Sequence, residues 1–181
     1  ERTNICVLGD ASAFLRQVKD LLTEESEDAP FRRQIMDIRR RGGIFISYCS
    51  KDALPASQLF FQLTEKRYHV WLDNARLYGG DDYEQEIYDA INAAKIFIPL
   101  LSPSVAEDLK RGDTDHYYNK EWRIAQQFND KVIIPVAVNG YDMKSDYHQE
   151  FERIIKHTLT GTDLMASDGF QKTISSINEH L

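Results

Sequence analysis

Short apolar runs without polar alternation punctuate this chain: Gly43–Tyr48, Tyr68–Leu72, Lys95–Leu101 and Lys131–Val138, all rich in β-branched or aromatic residues. A strand with one wet face alternates apolar and polar residues, whereas a run apolar at consecutive positions must be covered on both sides. Between the runs the spacing changes to that of helices. Leu59, Phe60 and Leu63 share a face, as do Tyr83, Ile87, Ala90 and Ile91, and then Tyr117, Glu121, Ile124 and Phe128. Alternating strand and helix with doubly buried strands specifies an α/β fold in which right-handed crossovers wind a parallel sheet.

Beyond the fourth run, Tyr147, Phe151, Ile154 and Ile155 predict a helix, Thr158–Leu164 a short fifth strand or loop, and Phe170–Leu181 a closing helix. The expected architecture is therefore a flavodoxin-like open sheet of five parallel strands with helices on both faces. Residues 1–41 read as something else. Asn4–Leu8 resembles a strand, Phe14, Leu15, Val18, Leu21 and Leu22 form a helical face, and Phe31–Arg41 carries Arg32, Arg33, Arg39, Arg40 and Arg41. We read 1–41 as the end of an upstream domain plus a basic linker helix, and 42–181 as the main domain. The chain begins at Glu1, which fits a piece of a longer protein.

Composition then narrows the partners. With 22 Lys+Arg against 29 Asp+Glu over 181 residues, the net charge is −7, so the broad basic field that nucleic acid demands is missing. Cys6 and Cys49 are too few for a disulfide framework, which points to a reducing, cytoplasmic setting. No apolar run approaches the ~20 residues of a membrane span. His69, His116, His148, His157 and His180 lack metal-ligand spacing, and no phosphate loop, dinucleotide fingerprint or nucleophile elbow occurs.

In an open parallel sheet, ligands bind beyond the carboxyl ends of the strands. The loop Ser47–Asp52 offers small polar groups that either cap a helix or meet a ligand. Asp73–Asp82, with Gly79 and Gly80, is longer than most strand-to-helix connections and too polar for a core. Ser102-Pro103-Ser104 reads as a helix start, followed by a polar excursion over Glu107–Asp115. Tyr117 and Glu121 stand one helical turn apart, which aims a carboxylate toward an apolar side. Such a glutamate sits at a solvated rim, or is paired, or lies in a cleft for catalysis; spacing alone leaves all three open. Trp122 faces elsewhere and is expected to pack.

These pieces, in this order, resemble the Toll/interleukin-1 receptor (TIR) domain. Gly43–Asp52, reading GIFISYCSKD, is similar to its first box; Val70–Asp73 followed by Leu77, Gly80 and Tyr83 is similar to its second strand and BB loop. Leu100–Pro103 resembles the segment closing its third strand, and Tyr117–Trp122 the aromatic-x-x-x-Glu element where enzymatic members carry a catalytic glutamate. The resemblance spans about residues 42–181.

What the resemblance implies is NAD+ cleavage of the bacterial NADase type, with Glu121 as catalytic residue and NAD+ as substrate, no resident cofactor and no metal. It places Ser47, Tyr48, Ser50, Asp73, Tyr83 and Tyr117 around the substrate, Tyr117 standing where Trp is usual. The arginines found after the first strand in the axon-degeneration enzyme are missing here, so pyrophosphate contacts fall to backbone amides or Lys51. It also implies homo-oligomeric assembly through TIR–TIR contacts, with Leu77, Gly79 and Gly80 in the BB loop, driven by an upstream sensor domain of the same chain. Many animal members are instead non-catalytic adaptors, and a third reading of this chain is a nucleotide sensor whose pocket binds a cyclic ADP-ribose-type signal without consuming it. Gly80→Pro is expected to stiffen the BB loop and lower turnover in concentrated protein while the monomer stays folded, as read by nicotinamide release at rising protein concentration.

Overall fold

The computed structural model describes residues 43–72, 83–111, 117–142, 162–164 and 167–181. Strand β1 (Gly43–Ser47) runs through a 3-10 turn at Ser50–Asp52 into α1 (Ala53–Glu65) and β2 (Val70–Leu72). Helix α2 (Tyr83–Ala93) passes directly into β3 (Ala94–Leu101), and α3 (Pro103–Lys110) and α4 (Tyr117–Ala125) follow. Short strands β4 (Val132–Ile133), β5 (Val136–Ala137) and β6 (Thr162–Asp163) precede α5 (Gly169–Asn178). The expected elements at 4–41 and 147–155, and the loop 73–82, lie outside the described residues.

Every strand pairing is parallel, in the order β2-β1-β3-β5-β6, with β4 beside β3 just ahead of β5. Counting β4 and β5 as one path gives the five-stranded flavodoxin-like order expected from the sequence. The path was read as one strand over Lys131–Val138, and its interruption has a covalent cause. The carbonyls of Phe97 and Leu101 accept from the N–H groups of Ile134 and Val138, each at 2.9 Å. Alternate residues of a strand face the same neighbour, so Pro99 turns its backbone to that side as well, and it has no N–H to donate. One rung is lost, and the strand divides around Ile134 and Pro135.

Two cores flank the sheet. On one face Phe45, Trp71 and Phe97 meet Ile87 and Ile91 of α2, Val105 of α3 and Tyr118 and Trp122 of α4. Phe45 and Phe97 stack at 5.6 Å with their planes 9° apart. On the other face Ile44, Ile46, Ile96 and Ile98 meet Leu59 and Leu63 of α1 and Ile174 and Ile177 of α5. Each fully buried large side chain contributes roughly 1.5–3 kcal/mol of transfer free energy, so these layers set the positions of everything polar between them. The polar excursion expected at Glu107–Asp115 begins later than the sequence suggested. Ser102 accepts from the Val105 N–H at 3.2 Å with Pro103 next to it, and the capped helix continues to Lys110.

The carboxyl ends of the strands are tied by Asp52. Although it precedes α1, its carboxylate makes no cap there. It is 1% exposed and accepts instead from Ser102 Oγ at 2.6 Å and from Asn139 Nδ2 at 2.7 Å. Asn139 holds a left-handed φ of 54°, followed by Gly140 at 74°, a conformation that Asn and Gly reach most easily. One buried carboxylate thus joins the exits of β1, β3 and β5.

At the opposite end of the sheet Lys131 is 6% exposed and donates to the carbonyl of Ile91 at 2.5 Å and to that of Ala94, closing the last turn of α2. Its ammonium also lies 5.0 Å from the centre of the Phe128 ring. Burial lowers its pKa from 10.5 to about 8 against the opposing pull of Asp130. Between those values the unfolded chain holds a proton that the folded chain has released, so stability should rise as pH climbs from about 8 to 10.5. Urea midpoints across that window should show the rise, and Lys131→Met should flatten it. Asp52→Ala should leave the buried Ser102 hydroxyl without its acceptor and lower the unfolding free energy by about 1–3 kcal/mol in the same denaturation assay.

Candidate functional site

Side chains alternate along β1, so Phe45 and Ser47 face one side of the sheet while Ile46 and Tyr48 face the other. Ser47 is fully buried at the carboxyl end of the strand, and its hydroxyl donates to Oε2 of Glu121 on α4. Glu121 is 1% exposed. Its helix turns Tyr118, Trp122 and Ala125 into the core, all within 2% exposure. The most deeply buried stripe of α4 is therefore one residue around from the Tyr117, Glu121, Ile124, Phe128 face suggested by spacing. Trp122 packs, as expected, and Glu121 stands at the border between that stripe and the surface.

Beside Glu121 a cleft of about 270 Å³ opens between α2 and α4. Glu84, Gln85, Ile87 and Tyr88 form one wall, and Lys120, Glu121 and Ile124 the other. Lys120 Nζ reaches Glu84 Oε1 across the gap at 3.0 Å. Both of these side chains are about half exposed or more, so their pairing is worth at most ~1 kcal/mol and is readily exchanged for a ligand. Tyr88 leans on Phe128 with ring centres 5.7 Å apart, which extends the apolar lip. The volume falls just under the ~300–1,000 Å³ of sites that enclose a small ligand. A carboxylate, an exchangeable ion pair and an aromatic edge can together grip a heterocycle joined to a polar sugar.

The other residues expected at the site fall into four groups. Ser47 reaches the site through Glu121 rather than through solvent, since none of it is exposed. Tyr48 is 8% exposed and packs in the opposite core with Ile44, Ile46 and Leu59, so it does not border the cleft. The alternation of the strand, legible in the sequence, separates these two neighbours. Ser50 is exposed in the 3-10 turn. Tyr83 and Tyr117 are the first residues of α2 and α4; their side chains, together with Asp73, Leu77, Gly79 and Gly80, lie outside the described residues.

Reading the sequence missed Glu84, Gln85, Tyr88 and Lys120. Glu84, Ile87 and Tyr88 share a helical face through their three- and four-residue spacing, which was available as a signal. The opposition of Glu84 and Lys120, 36 residues apart, was not. Among the described residues no cluster of three or more His, Cys, Asp or Glu could hold a metal, and no helix is long and apolar enough to cross a membrane.

Comparison with known proteins agrees with this architecture. No curated protein matches the chain. Among solved structures, the TIR domains of the activated Roq1 resistosome, which directly recognises the pathogen effector XopQ, superimpose with a TM-score of 0.52 at 16% identity, covering 76% of this chain and 98% of that one. A prokaryotic SEFIR domain superimposes with a TM-score of 0.53 at 16% identity, covering 76% and 96%. At such identities the likeness is one of fold. The sequence profile of the TIR domain matches residues 44–174, from the second residue of β1 into α5. Most of its length thus matches that profile, and the chain belongs to the TIR domain family.

Proposed function

We propose that this domain is an NAD+ glycohydrolase in which Glu121 promotes loss of nicotinamide, and that it serves as the C-terminal effector of a bacterial immune or signalling protein activated by self-assembly. The observation that carries the reading is a carboxylate held at 1% exposure that nonetheless lines an open cleft. Breaking the bond between nicotinamide N1 and ribose C1′ leaves both bonding electrons on the ring, which departs neutral. Positive charge then develops on the ribose as an oxocarbenium-like centre. A carboxylate fixed in surroundings drier than bulk water stabilises that charge with little reorganisation.

Water adds to C1′ and gives up a proton, which Glu121 accepts. NAD+ and water thereby become nicotinamide, ADP-ribose and a proton. When the nucleophile is instead the adenine or a ribose hydroxyl of the same molecule, the product is a cyclic isomer. No general acid is required, because the leaving group is already cationic.

The size of the cleft supports assembly as the switch. About 270 Å³ suits nicotinamide and its ribose rather than a whole dinucleotide, so the remaining half of NAD+ needs further surface from the BB loop or a second copy. The Roq1 TIR domains, similar in fold, come from a resistosome, which is itself an assembly.

A second reading, a non-catalytic assembly domain, is favoured by the bond from Ser47, which gives Glu121 a structural task as well. Artificially clustered protein incubated with NAD+ distinguishes the two when nicotinamide is followed by chromatography. The enzyme reading expects release by the wild type and a fall of at least about a hundredfold in Glu121→Gln. Undiminished release in the variant removes Glu121 from the mechanism, and no release from clustered wild type leaves the assembly domain.

A further inference from the structure

Buried serines usually satisfy their hydroxyl on a nearby backbone carbonyl, as Ser57 does on Ala53 at 2.7 Å and Thr173 does on Gly169 at 3.0 Å. Ser47 does not follow that habit. Its hydroxyl donates to a carboxylate 74 residues away, on another element, and neither partner is more than 1% exposed. The strand that carries it is the inner β1, paired with β2 over Ile44–Ile46 and with β3 as far as Ser47 itself, so the donor has little freedom to move. The acceptor lies on a helix packed through Tyr118, Trp122 and Ala125. The Ser47–Glu121 bond thus joins two rigid elements beside the cleft.

We propose that Ser47 is the positioning residue for Glu121: its hydroxyl fixes the rotamer of the carboxyl group and holds it ionised. A hydrogen bond donated to a carboxylate favours the charged form over the protonated one. Burial disfavours the charged form of any carboxyl group, so a buried carboxylate depends on its donors. The charged groups facing the cleft among the described residues are Glu84 on α2 and Lys120 on α4, which are paired with each other and exposed. Ser47 adds to these a donor on an inner strand, itself fully buried. This role rests on the reading of Glu121 as the reactive carboxylate, but the bond can be tested without any turnover.

The test follows the Glu121 carboxyl by carbon NMR in protein labelled at glutamate side chains, with Glu121→Gln identifying the signal. In Ser47→Ala the titration midpoint should rise by about one pH unit relative to wild type. Ser47→Cys keeps the volume with a weaker donor and should move it the same way by less; should the alanine variant fail to fold, the cysteine variant carries the measurement. Ser47→Thr, which restores a hydroxyl, should return the midpoint toward wild type. A midpoint unmoved in folded Ser47→Ala, or in Ser47→Cys, overturns the assignment. In parallel, nicotinamide release by clustered Ser47→Ala should fall in kcat on the acid side of the pH profile with KM for NAD+ unchanged. If the carboxyl titrates as expected but no protein, wild type included, releases nicotinamide, the NAD+ reading fails and the role of Ser47 stands.

Discussion

Of the three buried carboxylates among the described residues, Asp52, Asp108 and Glu121, two are held by a serine at the carboxyl edge of the sheet. Ser47 at the end of β1 holds Glu121, and Ser102 just past β3 holds Asp52. Ionised groups are rarely so enclosed unless donors surround them, because the loss of water costs far more than ordinary packing returns. The placement of α1, α3 and α4 over the sheet therefore has to satisfy these two contacts as well as the apolar layers. Asp52 completes its shell with the Asn139 amide, which recruits the turn after β5 into the same edge.

The two groups differ in what lies beside them. Asp52 is enclosed by protein donors and joins three strand exits, which is an architectural task. Glu121 borders a space between α2 and α4. Chemistry at pH 7 needs a group that is dry enough to act strongly and open enough to be met by a substrate, and of these two carboxylates Glu121 is the one placed beside a cleft. The helix forming the other wall of that cleft, α2, is closed at its far end by Lys131, so its first turns stand on a fixed base.

Much of this was legible in the residues. The parallel sheet followed from runs such as Ile44–Ile46 and Ile96–Ile98, which could not be half wet. The start of α3 followed from Ser102 and Pro103, whereas Glu121 was noticed for its place one turn from Tyr117 and given a role only by the family resemblance. What stayed hidden depended on contacts between distant positions. Asp52 looked like a helix cap because Ser102 and Asn139 lie 50 and 87 residues away from it. The path over Lys131–Val138 was read as continuous although Pro135 within it and Pro99 on the neighbouring strand each lack a ladder N–H. Tyr48 looked like a site residue because it follows Ser47, and only the two-residue period of the strand separates them. That last distinction was available and outweighed by the resemblance to a family box.

The alternation of β1 ties Glu121 to the frame of the sheet. Inserting one residue before Ser47 would exchange the two sides: the phenol of Tyr48 would swing toward Glu121, and a hydroxyl would enter the aliphatic layer beneath α1. Deleting one would do the same. The Ser47–Glu121 contact and the strand pairing thus share a single phase, and a shift that the backbone ladder could absorb would still part serine from glutamate.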